Sequence, residues 1–368
     1  MNGKEGFSGM PTGLRLEKRG EVPLYINFLI PVFCIVLALI VCAGFIRILG
    51  FEPGAVYLRM LRGGFGSLPS FFETVIKAIP LMLCGLAVAV AYKMLLMNIG
   101  AEGQFCVGAL AATGVALFWS QSLPGWSVIW VMLLASFLAG ALWAVLAVLP
   151  RAYLGVSEII VTLMFNYIAI LLLDFFVYGP WKDPGGANMP LSAPFAPEAL
   201  LFKFPGTNIN GGLLMALVIA VILYVVFRKT TWGFQLSVIG ESCKSAGYAG
   251  MNISRNMLIT MVISGGISGL AGLTEVAGVV GRLQPGISAG YGYTAIIIAY
   301  ISRFNPLIIL LVSLLFGGMS TGGYGLQILG LPSQIVNMLQ GAILLFVLGG
   351  EILTRYKVRL VRPEREVQ

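Results

Sequence analysis

The chain contains no histidine among its 368 residues, and its five cysteines form no CxxC pair. Without imidazole groups, a His-ligated metal site is excluded and the commonest general base is missing. Four of the five cysteines lie within apolar runs, which argues against a disulfide scaffold and against a cysteine-ligated metal. We therefore expect neither a metal centre nor a disulfide framework.

The motifs of an ATP-hydrolysing protein are also missing. No GxxxxGK[ST] loop is present to hold ATP phosphates, so a partner must hydrolyse ATP if ATP powers this protein. The sequence has neither a paired catalytic carboxylate motif nor a histidine that could act as a base. We therefore do not expect an enzyme. A central chain of acidic residues, typical of proton or sodium relays, is absent too, which disfavours an ion-coupled transporter.

Long apolar runs account for most of the chain. Hydrophobic residues make up 58% of it and charged residues 10%, with a mean hydropathy of +0.93. A soluble domain is about a quarter charged, whereas runs of about 20 apolar residues are typical of membrane-spanning helices. We predict an all-α polytopic transmembrane helical bundle of about ten spans, at residues 25–46, 72–92, 103–121, 127–149, 157–178, 212–227, 257–280, 291–302, 305–320 and 334–353.

Basic residues at both ends set the predicted topology. The N-terminal segment 1–24 and the tail 354–368 carry clusters of Lys and Arg, and the positive-inside rule places such clusters in the cytoplasm. Both termini of the transmembrane domain 25–353 are therefore predicted to be cytoplasmic. Counting the spans then puts the Pro-rich loop 179–210 outside and the polar segment 228–256 inside. The net charge of +8 follows from this topology, and no nucleic-acid partner is expected.

Three arginines disagree with this scheme. Arg47, Arg59 and Arg62 lie between the first and second predicted spans and would be exported. A helix in the membrane interface from Tyr57 to Phe65 would accommodate the last two, so the scheme is retained.

The segment 228–256 is a polar interruption set between two long apolar stretches. Its centre extends from Gly240 to Gly250 and is flanked by Arg228, Lys229 and Arg255. Such a compact, positively flanked segment at a membrane face suggests a docking site for a partner protein.

Two further polar stretches interrupt the apolar pattern. Asn98 to Gln104 combines hydrogen-bonding groups with two glycines, and these polar groups must face protein, water or the cytoplasmic surface. Ser157 to Tyr167 places Glu158, Thr162 and Asn166 on one helix face. Each stretch has an alternative explanation, a plain cytoplasmic turn for the first and an interhelical hydrogen bond for the second.

Glycine and isolated charges indicate where helices pack or break. The small residues from Ser264 to Gly272 favour close helix packing, and Gly286 to Gly292 suggests a broken helix. Lys77 is predicted to extend its ammonium group to the nearby span end. Glu275 is expected to do the same or to meet Arg282.

Several groups of residues together carry a resemblance to a known family: Pro80 with Leu83 to Leu86, Asn98 to Gln104, Glu158-Ile159-Ile160, Thr162-Leu163-Met164 and Asn166-Tyr167. Over them, from Ala55 to Glu351, the chain resembles the inner-membrane permease subunits of ATP-binding-cassette (ABC) importers. The branch includes branched-chain amino-acid, ribose-type sugar and nucleoside permeases. The chain looks most like the bacterial nucleoside permeases of the basic-membrane-lipoprotein type.

The resemblance implies a multi-pass protein of the bacterial inner membrane that forms the path of a nucleoside. It also implies an ABC ATPase subunit that holds ATP and Mg²⁺, a second permease that is a distinct paralogue, and an external substrate-binding lipoprotein, besides the surrounding membrane lipids. No cofactor is expected on this chain. For the substrate pathway we name Asn98, Glu102, Gln104, Phe105, Phe165, Asn166 and Tyr167.

The same resemblance places a coupling helix, the lever between permease and ATPase, between Trp232 and Gly250. Where the family has an Asn and a small-residue pair, this chain reads Ser242-Cys243-Lys244-Ser245-Ala246. The residues we expect to couple to the ATPase are Gly240, Glu241, Lys244, Ser245, Ala246, Tyr248, Ala249 and Gly250.

Three alternatives stay open at this point. The permease would carry simple sugars or another small polar solute instead of nucleosides. An ion-coupled secondary transporter is favoured by the broken helices and opposed by the missing acidic relay. A membrane scaffold would use the polar segment only to dock a soluble protein.

Overall fold

A computed structural model describes residues 14–18, 24–186, 189–327 and 334–360. Within these residues the chain forms thirteen α-helices and two short strands. In chain order they are β1 (Leu14–Lys18), α1 (Leu24–Ile48), α2 (Pro53–Phe65), α3 (Leu68–Tyr92), α4 (Ala101–Phe118), α5 (Gly125–Leu154), α6 (Glu158–Tyr178), α7 (Gly212–Lys229), α8 (Thr231–Glu241), α9 (Cys243–Tyr248), α10 (Ile253–Glu275), α11 (Tyr291–Ile301), α12 (Pro306–Gln327), α13 (Gln334–Arg355) and β2 (Tyr356–Leu360).

The predicted all-α transmembrane class is confirmed, with the two strands as an addition that the sequence did not suggest. Each of the ten predicted apolar segments contains a helix. Among the described residues, seven helices are long and apolar enough to cross a membrane, or up to eight if α1 and α2 count as one broken span. The number of ten spans stays a prediction.

The described residues up to 53 and those from 334 to 360 form one compact unit. Helix α1 packs against α13, and a side chain on Gly350 would overlap the Cys34 sulfur. Strands β1 and β2 pair in antiparallel fashion, with Leu14 opposite Leu360 and Lys18 opposite Tyr356. Because β1 precedes α1 and β2 follows α13, this pairing brings the start of α1 and the end of α13 to the same side.

The second unit comprises the described residues between 54 and 327, and α3 and α10 form its centre. Helix α3 is almost entirely buried: 94% of its most apolar stretch of 18 residues lies inside the protein. Helix α10 packs against α3, α4 and α5, and its glycines allow the close approach: a side chain on Gly269 would overlap the backbone of Ser136 in α5. The predicted packing role of the small residues from Ser264 to Gly272 is thus confirmed.

The predicted broken helix after α10 is present. Helix α10 continues into a π-helical turn at Val276–Val280, and glycines with positive φ at 281, 286 and 290 lead through an irregular stretch to α11. Helix α11 has 11 residues and is about 16 Å long, roughly half of the hydrocarbon thickness of about 30 Å. The segment that follows α10 therefore combines irregular backbone with a half-length helix.

The Pro-rich loop between α6 and α7 folds over the end of α10. The backbone N–H of Leu201 donates to Ala277 O at 3.0 Å, and that of Phe195 donates to Gly281 O at 2.9 Å. Ser192 N donates to Leu283 O at 2.9 Å, and Leu283 N donates to Ser192 Oγ at 2.9 Å. These bonds satisfy backbone groups that the break between α10 and α11 leaves without helical partners.

Helix α2 is amphipathic. Val56, Met60 and Gly64 form its buried face, while Arg59 and Arg62 are exposed. This pattern agrees with the helix predicted from Tyr57 to Phe65, and its position in the membrane interface stays a prediction.

Candidate translocation pathway and coupling segment

Asn98 lies in the non-helical elbow at residues 93–100, which joins α3 to α4. Its amide pairs reciprocally with that of Gln104, since each amide nitrogen donates to the other's oxygen at 3.0 Å. Asn98 Nδ2 also donates to Ser264 Oγ at 2.9 Å, and Ser264 Oγ donates to Ala87 O at 2.7 Å. One buried network thus connects the elbow with α3, α4 and α10.

Glu102, in the first turn of α4, binds the start of α11. Gly290 N donates to its Oε1 at 3.1 Å, and Gly292 N donates to its Oε2 at 2.6 Å. The first N–H groups of a helix have no intrahelical acceptor and carry partial positive charge, so this carboxylate caps α11 from another helix. A side chain at position 292 would overlap the backbone of Glu102, so the close approach requires glycine there.

Asn166, in α6, joins the same region from a third side. Gly103 N donates to its Oδ1 at 2.8 Å, and its Nδ2 donates to Ile99 O at 2.9 Å and to Tyr293 Oη at 3.2 Å. Asn166 therefore ties α6 to the elbow, to α4 and to α11. Each of its amide atoms has a protein partner in this conformation.

The structure brings five of the seven predicted pathway residues together and leaves two apart. Asn98, Glu102, Gln104, Phe105 and Asn166 are buried within the same cluster of helices. Phe165 is half-buried and contacts Trp143, with ring centroids 5.2 Å apart. Tyr167 is 56% exposed and lies on the outer face of α6. The amides and the carboxylate of the cluster are hydrogen-bonded to protein, so they hold the broken helices in place in this conformation.

An ion pair that the sequence did not predict lies in the same unit. Lys77 Nζ lies 3.1 Å from Glu275 Oε1 and donates to Tyr291 Oη at 3.2 Å, joining α3, α10 and α11. Two expectations are therefore corrected. The ammonium group of Lys77 does not extend to the end of a span. Lys77 lies nine residues after the start of α3, and its ammonium group pairs with Glu275 instead. Glu275 pairs with Lys77 rather than Arg282, and it is buried. Two opposite charges inside apolar runs were the available signal.

The polar segment 228–256 folds into α8 and α9, and side chains cap each helix start. Thr230 Oγ1 accepts from Gly233 N at 3.1 Å, Ser242 Oγ from Ser245 N at 3.2 Å and Asn252 Oδ1 from Arg255 N at 2.9 Å. Such caps satisfy the N–H groups at a helix start. The segment is therefore a defined structure and not a loose loop.

The predicted coupling residues divide into exposed and anchored groups. Tyr248 is 94% exposed at the end of α9. The other exposed members are Glu241, Lys244, Ser245, Ala249 and Gly250. Ala246, in contrast, is fully buried, so it anchors α9. Gly240 is half-buried, and a Cβ there would lie 2.6 Å from Lys93 O.

Comparison with known proteins identifies the family. A family model described as "Branched-chain amino acid transport system / permease component" matches residues 70–348. The chain belongs to this family.

Three relatives align with this permease over most of its length and most of their own. The glucose ABC transporter permease protein TsgB13 of Haloferax volcanii is 33% identical over 97% of this chain and 96% of that protein. The guanosine permease protein NupP of Bacillus subtilis is 31% identical over 87% and 93%. The nucleoside permease protein NupB of Lactococcus lactis subsp. cremoris is 29% identical over 87% and 90%. The chain is therefore a multi-pass membrane subunit of an ABC transporter, a class that works with ATPase and substrate-binding partners.

In this permease, apolar packing connects α9 to the elbow that holds Asn98. Ala246, Leu236 and Ile239 belong to one buried cluster with Met94 and Leu96 of the elbow. The cluster also contains Met261 of α10 and Val148 of α5, and Thr260 Oγ1 donates to Met94 Sδ at 3.2 Å. Since close-packed groups transmit displacement, a movement of α9 would reach the elbow directly.

Proposed function

We propose that this permease forms the pathway of an ATP-driven importer for nucleosides and that α8 and α9 transmit the motion of a partner ATPase. The observation that carries the proposal is the unbroken packing from α9, whose Tyr248 is 94% exposed, to the elbow before Asn98. An exposed aromatic residue on a capped helix suits partner binding. The proposed location is the bacterial cell membrane, with α8 and α9 in the cytoplasm.

In the proposed cycle, the ATPase binds the exposed residues of α9 and displaces them when it closes on ATP. Ala246 carries this displacement to Met94 and Leu96 because they belong to one packed cluster. The elbow and α11 then exchange one packing arrangement for another, since packed interfaces switch between discrete arrangements. This chain supplies the pathway and the lever, while ATP and Mg²⁺ act on the partner.

Nucleosides are the favoured substrates because the cluster combines amides with aromatic rings. A nucleoside offers a base for stacking and hydroxyl groups for hydrogen bonding. Asn98, Gln104 and Asn166 provide amides, and Phe105 and Tyr293 provide rings beside them. In the proposed cycle the substrate replaces some of the protein partners of these amides when α11 moves. The guanosine and nucleoside relatives support this assignment.

Simple sugars are the second candidate. The observation that favours them is the 33% identity to the glucose permease protein over 97% of this chain. A sugar presents hydroxyl groups but no base, so it would use the amides without the rings. Uptake measurements with guanosine and with glucose therefore distinguish a nucleoside permease from a sugar permease.

The assembled transporter allows the decisive measurement. We would reconstitute this chain with its ATPase, the second permease (proposed to be a distinct paralogue) and the binding lipoprotein in liposomes and measure uptake of labelled guanosine and labelled glucose. We expect ATP-dependent guanosine uptake that excess glucose does not reduce. Glucose uptake blocked by unlabelled glucose alone would establish the sugar alternative. Uptake by the isolated chain on an ion gradient would refute an ABC mechanism.

Cys243 offers a direct test of the coupling segment. It is exposed in the first turn of α9, whereas Cys34, Cys42, Cys84 and Cys106 are buried. A membrane-impermeant maleimide should label the wild-type chain in inside-out vesicles but not in intact cells, and added ATPase should slow the labelling. Cys243→Ser is the control and should remove the signal. Labelling in intact cells, or labelling that ATPase leaves unchanged, would contradict the proposed docking.

A further inference from the structure

A cavity of about 190 Å³ lies where the ends of α3 and α7 meet the connection between α11 and α12. Its lining residues are Lys93, Tyr224, Phe227, Arg228, Arg303, Phe304, Asn305 and Pro306. The described residues that line the cavity thus include three cations, three aromatic rings and no carboxylate.

Aromatic rings hold two of the three cations in place. Lys93 Nζ lies 5.2 Å from the centre of the Phe227 ring, and the Arg228 guanidinium carbon lies 5.0 Å from the centre of the Tyr224 ring. Cation–π contacts orient a cation without neutralising its charge. Neither Lys93 nor Arg228 has a carboxylate within ion-pair distance among the described residues. Their positive charge is therefore available to an anion in the cavity.

The third cation sits on strained backbone. Arg303 and Phe304 have φ values of 50° and 57°, a conformation that side-chain-bearing residues seldom adopt and that costs free energy. The Phe304 ring stacks on Tyr92 with a centroid distance of 3.6 Å and an interplanar angle of 12°. This stacking holds the connection in the conformation that places Arg303 at the cavity. Strain that the surrounding packing maintains is typical of binding sites.

Exposed apolar side chains extend away from the cavity along both neighbouring helices. On α12 they are Leu307, Ile308 and Leu311, between 39% and 66% exposed, and on α7 they are Val221, Ile222 and Val225, between 46% and 54% exposed. Both helices are candidate membrane spans, and these side chains are exposed on the surface of this chain. A ligand with an anionic head and apolar chains would meet cations and exposed apolar residues at the same time.

We propose that this cavity binds the phosphate headgroup of an anionic phospholipid, with the acyl chains along the exposed faces of α7 and α12. Basic pockets between helices on the cytoplasmic side of a membrane are suited to such headgroups. The cavity lies at the end of α7, one residue before α8, so a bound lipid would support the base of the coupling segment. A free phosphate shares the headgroup chemistry but makes no use of the apolar faces.

Native mass spectrometry of the delipidated full-length chain tests the proposal. We would compare phosphatidylglycerol with phosphatidylcholine of the same acyl chains. The wild type should retain phosphatidylglycerol preferentially, and Arg228→Gln with Arg303→Gln should weaken its binding about thirtyfold. The control pair, Lys229→Gln with Arg255→Gln, removes the same charge from exposed residues outside the cavity and should leave binding unchanged. If the first pair does not fold, Lys93→Gln takes its place.

Four results would overturn the proposal. Equal binding of the two lipids, or equal losses in the two pairs, would show that the cavity has no headgroup specificity. Inorganic phosphate that binds as tightly as phosphatidylglycerol would identify a free-anion site. Unchanged lipid binding with loss of ATPase assembly in the cavity pair would assign these cations to a protein partner.

Discussion

At the scale of single residues, Glu102 illustrates how a charge becomes acceptable in an apolar helix. The residue is 2% exposed, and both oxygens of its carboxylate accept hydrogen bonds from backbone N–H groups at the start of α11. The partial positive charge of that helix end replaces part of the lost hydration. The stretch from Asn98 to Gln104 predicted that this residue would face protein or water. Its partner was not predictable, because it lies 188 residues later and contributes only backbone atoms.

Glu102→Gln tests this capping role. The glutamine side chain has the same size, but its NH₂ group replaces one carboxylate oxygen. This NH₂ group cannot accept the hydrogen bond that a backbone N–H of α11 donates to that oxygen in the wild type. We expect the free energy of unfolding in detergent to fall by about 2 kcal/mol, the range for a lost hydrogen bond to a charged group. The measurement is denaturant or thermal unfolding of the purified chain.

Glu158→Gln is the matched control. Glu158 pairs with Arg151, whose side chain is 40% exposed, at 3.3 Å, and such pairs contribute at most about 1 kcal/mol. Equal stability losses in the two variants would contradict the capping role of Glu102.

The Lys77 and Glu275 pair predicts strong non-additivity. Lys77→Met leaves the Glu275 carboxylate buried without its cation and should lower the free energy of unfolding by about 3 kcal/mol or more. Lys77→Met with Glu275→Met removes both charges and should restore most of that loss. A double-mutant cycle measures the coupling. If the double variant loses as much free energy of unfolding as the two single variants together, the pair does not interact.

At the scale of elements, the glycines of α10 explain how a helix with weak amphipathic character packs tightly against its neighbours. Gly265 and Gly269 approach Gly140 and Ser136 of α5 at backbone distance, and Gly272 approaches Phe105 of α4. Dispersion contacts between backbones replace the hydrophobic effect, which is weak between helices in lipid. Small-residue spacing in the sequence predicted this packing, but it did not predict which helices would meet.

Gly269→Ala should disrupt this crossing. The added methyl group would overlap Ser136 O and lie 3.2 Å from Gly140 Cα, and overpacking of this kind costs about 1 to 3 kcal/mol. Gly44→Ala in the interior of α1 is the control, since nothing lies within 4 Å of its added methyl group. Thermal unfolding should show a lower midpoint for the first variant alone. An unchanged midpoint for Gly269→Ala would mean that the helices can separate at little cost.

Helix α11 marks the limit of prediction at this scale. Apolar periodicity identified residues 291–302 as a span, and the helix is indeed present, but it is only half long enough to cross. Hydropathy measures the preference of residues for an apolar surrounding and cannot separate lipid from protein. The irregular stretch before α11 is tolerated because Glu102, Ser192 and neighbouring backbone groups satisfy it.

At the scale of the whole molecule, the pairing of β1 with β2 agrees with the topology that the basic residues predict. Because β1 and β2 pair, we expect them on the same side of the membrane, which requires an even number of crossings between them. Fluorescent-protein fusions at each terminus should therefore both fluoresce, as the cytoplasm requires. The same reporter inserted after Gly206, where the loop has open space, should stay dark. One dark terminus would contradict the topology.

The strand pair also has a consequence for how the chain can be cut and joined. Leu14 and Leu360 lie opposite each other although they are 346 positions apart in the chain, so a short peptide linker could join β2 to β1 outside the helices. A circular permutant with new ends at Gly206 would then keep every helix in its place. In such a permutant, α1 and α13 would be consecutive segments, and their antiparallel pair would form during synthesis as a single hairpin.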